Sequence, residues 1–132
     1  MDNPRLYQDF QDAVQEYLIR HRSILDVLSK LQEYSARTQR AVIKAVTTCG
    51  CLQVDAYKSS IPPDTSYLDL KNHMDTHLRG QLCETCRDII ETEIGQQLFY
   101  LAALCNSVDL DLNEICKQQG ERIATLGKFY LT

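Results

Sequence analysis

Four of the six cysteines fall in two close pairs, Cys49 and Cys51 in TTCGC, and Cys83 and Cys86 in CETC. A C-x-C and a C-x-x-C separated by a connecting segment is the layout zinc uses to tie two parts of a small domain together, because four thiolates supply soft ligands at tetrahedral positions. The expected occupant is a structural zinc ion, ahead of an iron–sulfur cluster. Residues two apart on a regular helix diverge by about 200 degrees, so Cys49 and Cys51 can face one ion only if the backbone changes between them. Gly50 permits that change, and TTCGC therefore reads as a kink or the end of a helix. Cys83 and Cys86, three apart at a helix start, already share one side and the favourable end of the dipole.

Other residues compete for roles in this chemistry. His73 and His77 stand four apart in KNHMDTH and are alternative ligands, although four cysteines already close a site. A redox reading of CETC, with Cys83 as attacking thiol, calls for a strand before the motif, and no strand pattern precedes it. Cys105 and Cys116 sit on apolar stripes and are expected in the core, as free cysteine commonly is. His21 falls on the stripe of the first helix and is expected to pack there.

The chain of 132 residues is long enough for one domain, 1–132, with a core that does not depend on disulfides. Its 14 basic and 18 acidic side chains are mixed, for a net charge of -4, which argues against a nucleic-acid or anionic-membrane surface. The start, MDNPRLYQDFQDAVQEY, has no signal-peptide character, and no run of some eighteen apolar residues occurs. A soluble, cytoplasmic protein is expected, and in a reducing compartment cysteines serve as metal ligands, reactive thiols or buried small hydrophobes rather than disulfides.

The elements that must position the cysteines read as helices. Asn3-Pro4 opens the first, with a stripe from Leu6 through Phe10, Ala13, Tyr17, Ile24 and Leu28 to Leu31. Ser23 offers a weak internal cap, but a single long helix is slightly favoured. Ser35 is the expected cap of a second helix carrying Val42, Ala45, Val46 and Cys49. After the Pro62-Pro63 loop, a short helix is expected from Ser66 to a stop at Gly80. The helix from Cys83 bears the stripe Ile90, Ile94, Leu98, Leu101, Cys105 and Val108, and Asp111 caps a last helix lined by Leu112, Cys116, Ile123 and Leu126. The class is all-α, a four- or five-helix bundle without strands.

From Ile89 the chain reads IIETEIGQQLFYLAALCNSVDLDLNEI. This stretch resembles the second signature helix of the MazG-like all-α nucleoside triphosphate pyrophosphohydrolases, in which acidic residues, a glycine and LFYL occur in the same order with the same continuation. The resemblance implies a MazG-like bundle, a homodimer, and magnesium held by carboxylates to release pyrophosphate from a nucleoside triphosphate. Two or more carboxylates hold the hard cation, which neutralises the triphosphate and activates water. Carried over by position, Glu93 matches the glutamate of the family's E-x-x-D and Gly95 its glycine, while Gln96 stands in place of the aspartate. Glu91 is a further candidate acid, and Asp88 and Glu84 at the helix start read equally as solvated side chains. The counterpart of the family's earlier E-x-x-E helix, RAVIKAVTTCGC, has no carboxylate and carries Arg40 and Lys44 instead. With Thr47 these share a face that can meet a phosphate, though such a face is more often simply the exposed side of an amphipathic helix. Phe99 and Tyr100 of LFYL read as core or subunit seam rather than a base-stacking pair.

Two functions follow. One is a divergent pyrophosphohydrolase with Glu93, Glu91 and Gln96 at a magnesium site, Arg40 and Lys44 at the nucleotide, and a zinc staple. The other is a zinc-stabilised, non-catalytic helical module for interaction or for metal or redox sensing. The count of acids favours the second for chemistry, whereas the LFYL stretch bears on ancestry and fold.

Overall fold

The computed structural model describes residues 3–127, so the ends of the expected domain, 1–2 and 128–132, lie outside the described residues. Four α-helices dominate: α1 (Leu6–Tyr17), α2 (Ile24–Lys44), α3 (Glu84–Ser107) and α4 (Leu112–Leu126). A π-turn (Ala45–Cys49) extends α2, and a short antiparallel pair, β1 (Leu52–Val54) with β2 (Leu78–Gly80), lies between α2 and α3.

The single long helix expected at the start is two. Leu18 turns extended, His21 adopts a left-handed φ of 56°, and the Arg22 guanidinium donates to the carbonyls of Gln15 and Leu18, which α1 leaves open at its C-terminal end. Ser23 then caps α2 by accepting from the Leu25 amide at 3.2 Å. The cap satisfies backbone groups, and the expected stripe is not the buried face: Leu6, Ala13, Tyr17, Ile24 and Leu28 are exposed, whereas Gln11 and Val14 of α1 and Val27 of α2 are buried. His21 is accordingly exposed at the break, 3.6 Å from Asp26, and does not pack. Ser35 lies inside α2 rather than at its start.

α2 and α3 form the main antiparallel pair. Tyr34 stacks on Tyr100 with ring centroids 5.7 Å apart, Phe99 meets Tyr100 edge-on, and Thr38 donates to Gln97 at 2.9 Å. Val27, Ala102 and Ala103 are almost wholly buried, and α1 packs on α3 through Val14. The expected α3 stripe is one face covered only at its ends: Ile90 and Cys105 are buried, but Ile94, Leu98 and Leu101 between them are exposed. On α4 only Leu112 is buried, and Cys116, expected in the core, is exposed.

The expected helix from Ser66 to Gly80 does not form. Ser66 accepts from the Asp69 amide, but only a 3-10 turn, Leu70–His73, follows before the chain enters β2. Asp75 competes for the backbone here, accepting from the His77 amide at 3.0 Å while His77 takes a left-handed φ of 62°. No helix among the described residues is long and apolar enough to cross a membrane.

Gln11 joins α1 to the α3–α4 corner from a buried position. Its amide donates to Asn106 Oδ1 at 2.8 Å and to the Leu110 carbonyl at 2.7 Å, and its Oε1 accepts from the Leu112 amide at 2.9 Å. Asp111 Oδ1 caps the same corner through the amides of Asn113 and Glu114, as its position predicts. Gln11→Ala strips the buried Leu112 amide and the part-buried Leu110 carbonyl of their partner and is expected to cost about 1–3 kcal/mol, measured by urea unfolding followed by circular dichroism.

Candidate metal centre

Three local structures bring the four thiols together. At the end of α2 the helix widens by one residue, and the Gly50 amide closes the π-turn on the Ala45 carbonyl at 2.9 Å. Gly50 itself is left-handed (φ 81°, ψ 9°), which turns Cys51 back toward Cys49. This is the helix end that TTCGC predicts. The second structure is the β1–β2 pair, with Leu52 opposite Gly80, which returns the chain to the level of Cys51. Gly80 has φ 86°, and a Cβ there would collide with the Cys51 carbonyl oxygen, so the strand closes only over glycine. The third is the start of α3, where Cys83 is the cap residue and its Sγ accepts from the Cys86 amide at 3.4 Å.

The sulfurs of Cys49, Cys51, Cys83 and Cys86 all lie within 4.8 Å of one another, and those of Cys49 and Cys83 are 3.8 Å apart. Four sulfurs each about 2.3 Å from one tetrahedral ion are separated by about 3.8 Å. The cluster therefore has the dimensions of a mononuclear site, and a four-iron cluster, which places its thiolates on separate irons, does not fit that spacing. These four cysteines could hold a metal ion. Cys49 is exposed and the other three are half-buried.

The thiols divide electrostatically. The Cys86 amide, and after it the Cys86 thiol, lowers Cys83 to about 7, and the Cys83 thiolate beside it pushes Cys86 up to about 12. Four negative sulfurs at this distance repel one another, so the set ionises fully only when a cation shares it. Sitting at the N-terminus of α3, the anionic cluster also meets that helix's positive end.

Neither histidine joins the cluster. His73 is 3.3 Å from Asp69, and His77 lies edge-on to Tyr57 with its Nε2 buried and without a partner. They do not share a helical face, because the 3-10 turn ends at His73 and the chain leaves it through an extended Met74 and a left-handed His77. The connecting segment is instead held at its base by Asp75, which accepts from Arg79 and from the Tyr57 hydroxyl, both at 2.7 Å. The Arg79 guanidinium first, then the Tyr57 hydroxyl and the His77 amide, hold the Asp75 carboxyl well below the usual carboxylate range. This hub has no signature in the sequence, since its members come from both ends of a long loop. A three-residue strand does precede CETC, contrary to the sequence pattern, but it pairs antiparallel with β1 and forms no βαβ unit.

The acids proposed for magnesium do not converge. α3 is unbroken, so Glu91 and Glu93, two apart, point about 200 degrees from each other. Glu91 and Gln96 are exposed, whereas Glu93 is 9% exposed and faces α2. There Arg37 donates to both its oxygens, at 2.7 and 3.1 Å, and its guanidinium lies over the Tyr34 ring. Arg37 is the residue that sequence reasoning missed; its only signal was its place on the same helix as Arg40 and Lys44. Those two, with Thr47, do share an exposed face of α2 around a shallow depression formed by that helix and its π-turn alone.

Gly80→Ala is expected to separate β1 from β2 and weaken metal binding by at least tenfold, read by competition with a chromophoric chelator. Removing metal with a chelator is expected to release the 50–82 segment while leaving α1–α4 helical, so amide hydrogen exchange should accelerate in that segment and not in α3 beyond its first turn.

No family model matches the chain, nor does any curated protein or solved structure, so what this centre does rests on its own geometry.

Proposed function

We propose that this protein is a metal-stapled helical module in which Cys49, Cys51, Cys83 and Cys86 hold one structural zinc ion, and whose role is interaction rather than hydrolysis. The observation that carries the reading is the set of four sulfurs within 4.8 Å, a closed ligand set with no position left for water or substrate. A closed thiolate site joins parts of a chain; it does not activate a reactant. The cytoplasm, where thiols stay reduced, is the compartment that suits it.

Two further observations weigh against a magnesium pyrophosphohydrolase. Both oxygens of Glu93 are engaged by Arg37, a cation in the place where a hard dication would need negative charge. Gln96 adds an amide where that chemistry uses a carboxylate. The resemblance of residues 89–115 to MazG-like enzymes supports descent from such an ancestor, and a residual activity toward nucleoside triphosphates through Glu93, Glu91 and Gln96, with Arg40 and Lys44 at the phosphates, is the second reading it favours.

Elemental analysis of protein purified without chelator should find about one zinc per chain. Cys51→Ser and Cys83→Ser should lose it and lower stability by about 3 kcal/mol or more, while His73→Ala and His77→Ala keep it. Full zinc in both serine variants would overturn the ligand set. For the hydrolase, the wild type with magnesium should release no pyrophosphate from the common nucleoside triphosphates, and turnover abolished by Glu93→Gln would restore the second reading.

A further inference from the structure

The four clustered thiols differ in what reaches them from solvent. Cys49 is exposed, while Cys51, Cys83 and Cys86 are half-buried, and the Cys51 thiol lies back against the Ala45 carbonyl at 3.8 Å. Across the cluster from Cys49 stands Cys83, sulfur to sulfur at 3.8 Å and 34 residues further along the chain. A disulfide holds its sulfurs about 2.05 Å apart, so this pair has about 1.8 Å to close. A bond within either close pair, Cys49 to Cys51 or Cys83 to Cys86, would leave the two ends of the 50–82 segment unjoined, whereas a bond from Cys49 to Cys83 joins them.

We propose that the cluster is a two-electron redox switch: hydrogen peroxide oxidises Cys49 and Cys83 to a disulfide, which releases the metal and keeps the junction of α2 and α3 closed. The switch rests on the metal reading above and adds to it the oxidant, the bond formed and the state of the fold afterwards. Cys49, the exposed member, attacks one peroxide oxygen as thiolate; the O–O bond breaks, and the departing hydroxide takes a proton and leaves as water. Cys49 is then a sulfenic acid. The Cys83 thiolate attacks its sulfur, the S–S bond forms, the S–O bond breaks, and a second hydroxide leaves with a second proton as water. Two thiolates supply two electrons, one peroxide accepts them, and solvent supplies both protons. Cys51 and Cys86 remain, and two thiolates do not close a tetrahedral site, so the ion is released. The metal staple is thereby exchanged for a covalent one at the same two points of the chain. Leu52 of β1 pairs with Gly80 of β2, each three residues from a bonded cysteine, so the bond clamps the end of the strand pair that the metal clamps in the reduced protein. The chemistry oxidises the protein's own thiols and passes no electrons to a substrate, so it needs no βαβ unit around CETC.

The test treats the zinc-loaded 132-residue chain, free of reductant, with one equivalent of hydrogen peroxide. Released zinc is read with a chromophoric chelator, and disulfides are mapped by alkylation, digestion and mass spectrometry. Zinc should appear in step with peroxide consumed, Cys49–Cys83 should be the dominant disulfide, and dithiothreitol with added zinc should restore the loaded protein. Dimedone present during oxidation should label Cys49 at least tenfold more than Cys83 or Cys86. Cys116→Ser, which removes the exposed thiol of α4, should behave as the wild type does. In hydrogen exchange, the strand amides of β1 and β2 should exchange at least tenfold faster in reduced, chelator-stripped protein than in oxidised, zinc-free protein. A chain without zinc before treatment would overturn the metal reading and the switch with it. Zinc bound at the start and retained through oxidation, zinc released with a different dominant disulfide, or oxidised protein that exchanges as fast as the stripped form would each overturn the switch alone.

Discussion

Cys49 and Cys83 are 34 residues apart in the chain and 3.8 Å apart in space, and no residue between 50 and 82 is buried. Closing a loop of that length costs about 3–4 kcal/mol of chain entropy, before any cost of ordering its residues. Hydrophobic burial within the segment offers nothing of that size. What remains are a three-residue strand pair, the Asp75 hub and the cluster of four sulfurs. The first two are solvated and individually weak. A metal ion held by four thiolates would be large enough to secure the return, and the four cysteines that could hold one stand at the two points where the segment leaves and rejoins the helices.

The same cluster sets the relation of α2 to α3. It ties the last turn of one to the first turn of the other, so the helices begin their antiparallel contact already in register. Farther along, Arg37–Glu93, Thr38–Gln97 and the Tyr34–Tyr100 stack lie in sequence down the seam. Glu93 illustrates how position governs chemistry here. As a sequence feature it is a carboxylate in a stretch that resembles a magnesium site; under α2 it is a partly buried anion with a bidentate cation, and losing Arg37 would leave it unpaired.

A groove beside that seam is flanked by Leu28 of α2 and by Leu98 and Leu101 of α3, all exposed. The small residues Ala102, Ala103 and Val27 lie with Val14 and Tyr100 in the buried core, while farther along the seam the Tyr34–Tyr100 stack and the Arg37–Glu93 pair fill the contact with large side chains.

Sequence alone determined what depends on neighbours along the chain. The cysteine pairs, the need for Gly50 to break the helix between Cys49 and Cys51, the start of α3 at Cys83 and the cap at Asp111 are all effects of a few residues on their own backbone. The helical class follows from the same short-range periodicity. Tertiary structure decided what depends on competition between distant groups. Two outcomes were local yet illegible: Arg22 taking the last carbonyls of α1 lets Ser23 start a separate helix, and Asp75 taking the His77 amide helps stop one from Ser66. Which side of α3 is core was settled by the approach of α2, and the partner of Glu93 came from 56 residues away. Periodicity shows that a helix has an apolar face, but how much of that face is buried depends on which other elements reach it along its length.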